Sequence, residues 1–291
     1  MAQRIPNFLY VGASKAGSTW IFECLREHPD VFVPEAKDIK FFDRKFDKGL
    51  DWYLSFFSKA VGEKAVGELS HDYFFFPRVA KQIHDVFPDV KILACLREPV
   101  DKMISNYKYA RTIYLDPKVS FRDFLFSNEA VGTTGINQIH NLGKESAAYV
   151  RNLAPYYDVF PRDKIKVVFY DDLKARPLEF IRGIYRFLGV DDAFVPSVLH
   201  EKVNASRDSR FGPLGHLMYS AAGLMRLLGW ENLVGRIKHN RAFGKFFYKM
   251  EVKVEVSPEA RLEARRYFSR DYDRLEALTG LSLPPSWRNF S

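Results

Sequence analysis

The chain has 291 residues, enough for one large domain with a full hydrophobic core. It is 47% hydrophobic and 15% aromatic, with 26 phenylalanines, which excludes a disordered or low-complexity chain. The net charge of +8 suits an anionic ligand, a nucleic acid or an anionic membrane surface, and two cysteines, Cys24 and Cys95, are too few for a disulfide-held scaffold and read as small core residues.

Residues 1–7 run almost directly into the first apolar stretch. That leaves no room ahead of it for a signal peptide or membrane anchor, and the expectation is a cytoplasmic protein. Residues 8–11 read as a buried strand, followed by a small-residue turn and a helix carrying Trp20, Ile21, Cys24 and Leu25 at apolar spacing. Val31, Phe32 and Val33 form a short strand and 51–57 a short helix. Residues 65–69 are the next strand, and Pro77 opens a helix to 87. A buried strand over 91–96 leads past Pro99 into a helix with Val100, Ile104 and Tyr107 on one side. Helices over 120–127 and 144–157 precede the last central strand, 165–169, and a helix over 177–188. This alternation predicts an α/β fold, with a mostly parallel sheet flanked by helices on both faces and a single domain over 1–291. Ligands of such sheets bind at the carboxyl ends of the strands.

Beyond this frame the texture changes. Residues 204–210 are a polar, basic loop, and 212–249 are apolar and basic with one acid, Glu231. Leu214, Leu217, Met218, Ala221, Leu224, Met225 and Leu228 recur at helical spacing, so 212–256 reads as a helical insertion. Arg236, Lys238, Arg241, Lys245 and Lys249 alternate there with aromatic residues, which fits either packing on the core or on a second copy, as in a homodimer, or peripheral docking on an anionic membrane. Ser257, followed by proline and Glu259, caps a long amphipathic helix to about 280, and the tail at 284–287 reads as extended.

Two stretches carry chemistry. The turn at 12–17 lies between a strand and a helix, so its backbone N–H groups and the helix dipole converge on one anion. Gly12 and Gly17 have the spacing of a nucleotide triphosphatase loop, but Ser18 replaces its lysine and Lys15 supplies the cation from three places earlier. In the second stretch, 95–107, Arg97 follows a buried strand and Ser105 lies about two turns into the next helix, where a guanidinium and a hydroxyl can meet a second phosphate. Arg97 can instead pair with Glu98 or Asp101. Asp171 is the one aspartate placed like a metal-binding strand-end residue, and it reads better as a strand end and helix cap.

With these motifs in this order, the chain resembles the sulfotransferases that use 3′-phosphoadenosine 5′-phosphosulfate (PAPS), most nearly bacterial types distantly similar to heparan sulfate sulfotransferases. Lys15, Ala16, Gly17, Ser18, Thr19 and Trp20 resemble their 5′-phosphosulfate loop, and Arg97 with Ser105 their 3′-phosphate motif. Residues 204–210, with Lys202 and Arg207, resemble their late basic loop over the 3′-phosphate. The resemblance implies a P-loop-like sulfotransferase fold and in-line transfer of a sulfuryl group to a hydroxyl of a small-molecule, glycan or lipid acceptor. It further implies adenosine 3′,5′-bisphosphate as product, no metal, and Lys15 stabilising charge on the leaving phosphate.

The acceptor must lose a proton as it attacks, and two residues are candidates for the base. His71 lies just past a strand end, and histidine is the side chain suited by type to proton transfer near neutral pH. Asp38 stands where the glycosaminoglycan-type relatives carry glutamate, with Lys40 in place of their histidine. Glu68 and Asp72 are placed to orient His71 or the acceptor, and residues 73–76 form an aromatic run beside it. A P-loop kinase or NTPase is the competing enzyme reading. A nucleic-acid-binding protein, for which no recognition motif is present, is the third, so nucleic acid is not expected as a partner.

Overall fold

The computed structural model describes residues 4–113, 115–116, 118–126, 143–199, 207–209, 225, 233–234, 248–251 and 254–289. Five strands, β1 (Phe8–Gly12), β2 (Val31–Phe32), β3 (Ala65–Leu69), β4 (Lys91–Leu96) and β5 (Ile165–Phe169), form one sheet in the order β2-β3-β1-β4-β5. Every pairing in it is parallel. Parallel neighbours need crossovers, and helices supply them. These are α1 (Ser18–Glu27), the short α2 (Phe41–Arg44) and α3 (Leu50–Leu54), α4 (Pro77–Val86), α5 (Pro99–Ile113), α6 (Phe121–Phe126) and α7 (Tyr149–Val159). After β5 come α8 (Tyr170–Ala175) and α9 (Pro177–Leu188).

Side chains alternate across a strand, so the central strands feed two cores. Leu9, Val11, Ile92, Ala94 and Leu96 face α4, α5, α7 and the C-terminal helices. Phe8, Tyr10, Leu93 and Cys95 face α1 and α9. Both cysteines are buried and unpaired, in line with the core reading.

The C-terminal third departs from the sequence reading in three places. The helix expected over 257–280 is broken: Pro258–Phe268, one 3₁₀ turn at Ser269–Asp271, then Tyr272–Thr279. Ser257 caps the first piece through Ala260 N at 3.2 Å, a contact of the kind worth about 1 kcal/mol. At the break Ser269 Oγ donates to Arg266 O at 3.4 Å, a local bond that competes with the helical ladder. The tail is not extended. Pro285–Arg288 forms a helical turn that buries Trp287 among Tyr149, Phe169 and Tyr272. A tryptophan so placed contributes about 3–5 kcal/mol relative to alanine. Asp171, in the first turn of α8, holds that turn by accepting from Ser286 Oγ at 2.8 Å and Trp287 Nε1 at 3.1 Å, and it makes no helix cap. Third, the region expected to be a loop and a helical insertion contains a strand pair, Arg207–Ser209 antiparallel to Tyr248–Glu251. A pairing across some forty residues leaves no local periodicity to read. Met225, Leu233 and Val234 are helical, Tyr248 and Lys249 belong to the strand pair, and the rest of 212–249, with the membrane and dimer readings attached to it, lies outside the described residues. Among the described residues no helix is long and apolar enough to cross a membrane.

Candidate active site

The site is built from the carboxyl ends of β1, β3 and β4. At the end of β1 the chain passes so close to Phe74 that a Cβ on Gly12 would collide with it. Ala13 N then donates to Cys95 O at 2.9 Å, which ties the turn to the end of β4. Lys15 and Gly17 take left-handed backbone conformations, φ 61° and 85°. At Gly17 a side chain would also meet Leu173 Cδ2 at 2.6 Å, so only glycine fits. Gly17 leads into α1 without a side-chain cap, which leaves the first amides of the helix for an anion. Ala16 and Trp20 are core anchors: Ala16 is fully buried, and Trp20 packs on Phe180 and donates Nε1–H to Val198 O at 3.2 Å. Thr19 is half-buried, and Ser18 Oγ accepts from Lys37 Nζ at 3.2 Å.

The Lys15 ammonium lies 4.5 Å from the centre of the Tyr109 ring. Burial, and then the charges of Arg97 and Lys37, bring its pKa down to about 8. Arg97 follows β4 directly. Tyr149 clamps its main chain, the hydroxyl donating to Arg97 O at 2.6 Å and accepting from Arg97 N at 3.3 Å. Its guanidinium stacks 4.9 Å from the Tyr170 ring, and Nη1 donates to Lys15 O at 3.2 Å. Among the described residues no carboxylate pairs with it, and the buried Nε has no hydrogen-bond partner. The acids nearest it in sequence are occupied: Glu98 accepts from Asp101 N at 2.7 Å and Tyr272 OH at 3.5 Å, and Asp101 pairs with Arg261 at 3.4 Å. A buried donor left over beside an uncapped helix fits a bound phosphate. Ser105 is half-buried on α5, and no hydrogen bond joins it to Arg97. Lys202 lies outside the described residues, and of Arg207 only the backbone is described, paired with Glu251.

On the β3 side the two base candidates meet. Asp38 Oδ1 lies 2.6 Å from His71 Nδ1, and it also accepts from His71 N at 3.4 Å. His71 Nε2 is 3.4 Å from Asp72 Oδ1. Burial raises the Asp72 carboxyl, but His71 and Lys40 outweigh it and hold Asp72 below the usual range. Lys40 Nζ stands 3.1 Å and Arg44 Nη2 3.5 Å from Asp72 Oδ2. The loop with Asp38 is tightly held. Asp38 and Lys40 are left-handed, at φ 62° and 61°, conformations that cost a non-glycine residue about 1 kcal/mol or more. Glu68 secures them from beneath. It accepts from Ser70 Oγ at 2.7 Å and from the Tyr73 and Tyr53 hydroxyls at 2.6 and 3.0 Å. Ser70 in turn accepts from Lys40 N, and Tyr73 from Phe41 N and Phe42 N. Glu68 therefore braces the loop and does not touch His71. Burial pushes its pKa up to about 7 against the pull of those hydroxyls. In the aromatic run Tyr73 and Phe74 are core, while Phe75 and Phe76 are half-buried.

Sequence reasoning missed Lys37, which bridges Ser18 and, at 3.6 Å, Asp38 Oδ2 and so joins the two halves of the site. It also missed the ring partners Tyr109 and Tyr170, and Lys102, a fully buried lysine in the first turn of α5. Lys102 and Asn106, both buried, share one face of α5 at i, i+4 spacing, a pattern that in sequence does not tell a buried face from a solvated one.

Comparison with known proteins gives a consistent result. A mouse relative, heparan sulfate glucosamine 3-O-sulfotransferase 3B1, is 28% identical over 192 residues, 65% of this chain and 47% of that protein. Human bifunctional heparan sulfate N-deacetylase/N-sulfotransferase 3 is 27% identical over 201 residues, 64% of this chain and 22% of that protein. The chain thus spans about half the length of the first relative and less of the second. The crystal structure of a sulfotransferase from Alicyclobacillus acidocaldarius superposes with a TM-score of 0.70 at 26% identity, covering 98% of this chain and all of that one. Residues 6–211, which carry the β1 turn, the His71–Asp38 contact and Arg97, match the family described as the sulfotransferase domain, and the chain belongs to that family.

Proposed function

We propose that this protein transfers the sulfuryl group of PAPS to an acceptor hydroxyl, with Lys15 and Arg97 as its phosphate cations and His71 as the general base oriented by Asp38. The observation that carries the nucleotide half is the junction of Lys15 and Arg97. They are two cations from different strand ends joined through the Lys15 carbonyl, with a guanidinium N–H left over for an anion. PAPS would supply a sulfuryl group on a good leaving phosphate. The turn amides and Lys15 would hold the 5′ side of the nucleotide, and Arg97 with Ser105 the 3′-phosphate; Lys202 and Arg207 are assigned to the same phosphate by the family resemblance. As the bond to the leaving phosphate breaks, negative charge grows on the bridging oxygen, and a positioned ammonium stabilises it more than it stabilises the ground state.

On the acceptor side, the Asp38 carboxylate lies against Nδ1, so Nε2, which also faces Asp72 Oδ1 at 3.4 Å, is the ring nitrogen to take the hydroxyl proton, and the two carboxylates offset the imidazolium that forms. The mouse relative is named a heparan sulfate glucosamine 3-O-sulfotransferase, so a saccharide hydroxyl is the acceptor class to test first. The P-loop kinase reading gains no support from Asp171, which is spent on Trp287 and Ser286.

Two measurements test the proposal. Calorimetric titration should find adenosine 3′,5′-bisphosphate bound without metal and in preference to ATP with Mg²⁺; the opposite preference would return the chain to the kinase reading. Radiolabelled PAPS offered with heparan-type oligosaccharides, and in parallel with lysate fractions, should yield a labelled product identified by its mass. Label that remains on the nucleotide in every fraction argues against transfer.

A further inference from the structure

Lys102 stands apart from the other lysines near the site because it is completely buried. Among the described residues its ammonium has one hydrogen-bond partner, Ser146 Oγ at 2.6 Å, and no carboxylate in ion-pair reach. Ser146 Oγ also accepts from Asn106 Nδ2 at 3.3 Å. An ammonium presents three donors, so two go unanswered in a low-dielectric interior, within the positive first turn of α5. A neutral amine leaves no charge to desolvate there, and its lone pair can accept from the Ser146 hydroxyl, whose hydrogen otherwise faces the weak acceptor Met103 Sδ at 3.9 Å. The serine therefore serves either protonation state. The charged groups that act on Lys102 are Lys15 on the β1 turn and Arg97 at the end of β4, both repelling, and Asp72 beyond β3, which attracts. Burial, then Lys15, then Arg97 bring its pKa down to about 7.

We propose that Lys102 is a reserve cation of the nucleotide site, which gives up its proton in the nucleotide-free enzyme and takes one from solvent when phosphate anions arrive beside Lys15 and Arg97. This rests on the nucleotide reading above. The proton balance is simple: a neutral amine plus a solvent proton becomes an ammonium, and the incoming negative charge replaces the missing carboxylate. By linkage, nucleotide affinity falls as pH rises through the range in which the bound form stays charged and the free form does not. Loss of the same proton would favour release of the bisphosphate product.

The test is calorimetric titration of adenosine 3′,5′-bisphosphate at pH 7.5 in HEPES and in Tris, whose ionisation enthalpies differ. The dependence of the measured heat on buffer counts protons taken up. Wild type should take up about half a proton or more beyond Lys102→Met, while Lys15 and the ligand's own phosphates titrate in both. Lys102→Arg, charged at every pH used, should match the Met variant in proton count yet bind at least as tightly as wild type. Between pH 7 and 9 its affinity should fall less than that of wild type, by roughly 3- to 10-fold. Equal proton counts in wild type and both variants, all binding, would overturn the role of Lys102 alone. Wild type that binds no bisphosphate would overturn the nucleotide reading and this proposal with it. If the Met variant does not fold, the Arg variant decides.

Discussion

Two halves of one sheet edge handle charge in opposite ways. Lys15 and Arg97, at the ends of β1 and β4, and Lys102, in the first turn of α5, are three basic side chains with no ion-pair partner among the described residues, and Lys15 and Lys102 both have lowered pKa values. Around Asp38, His71 and Asp72, at the end of β3, each acid already faces a base: Lys37 and His71 on Asp38, Lys40, Arg44 and His71 on Asp72. On the proposed reading, an anion supplies the countercharge the first half lacks. The second is neutralised internally and is suited to a neutral group that gives up a proton. Binding charge and moving a proton need these opposite preparations, and Lys37, touching Ser18 on one side and Asp38 on the other, is the seam between them.

The sharpest way to break this comparison is on the β3 side. His71→Ala should lose about 10²–10⁴-fold in transfer rate, with bisphosphate affinity nearly unchanged. Asp38→Asn should lose less, because it removes the orienting carboxylate while leaving the imidazole. A larger loss for Asp38→Asn in a direct rate comparison would exchange their roles, and near-normal rates in both would place the base elsewhere.

Next in size is Lys15→Ala, expected to lose about 10²–10³-fold in rate, with a smaller effect on affinity, since its charge matters most as the leaving oxygen becomes anionic. A variant within about threefold of wild type in the same assay would remove the phosphate-loop assignment.

The smallest effect sharpens the comparison within the nucleotide half. Arg97→Ala should weaken adenosine 3′,5′-bisphosphate by about 1.5–3 kcal/mol and adenosine 5′-monophosphate far less, because only the first carries a 3′-phosphate. Parallel losses for the two ligands in the same calorimeter would make Arg97 a structural clamp on the Lys15 carbonyl.

The sequence by itself determined the five strands of a mostly parallel sheet, the glycine-bearing turn after β1 and the placement of Arg97. Each of these is written locally, in a run of apolar residues, a backbone angle only glycine takes readily, or a residue directly following a strand. Cys24 and Cys95 as core residues, and Ser257 as a cap, follow for the same reason. Only the tertiary structure decided what depends on groups distant in sequence meeting. His71 and Asp38, readable as rivals, are brought together because the loop holding Asp38 is tied to β3 through Leu69 O and braced by Glu68. Arg97 lacks an acidic partner because Glu98 and Asp101 are engaged by Tyr272 and Arg261, more than 150 residues away. Trp287 folds its tail inward because Asp171 and three aromatic rings receive it. Lys102 reads in sequence as one more surface cation on a helix. Its burial is fixed by the packing of α5 against the segment bearing Ser146, and with it the cost of its charge, since desolvation depends on what surrounds a group in space and not on its neighbours along the chain.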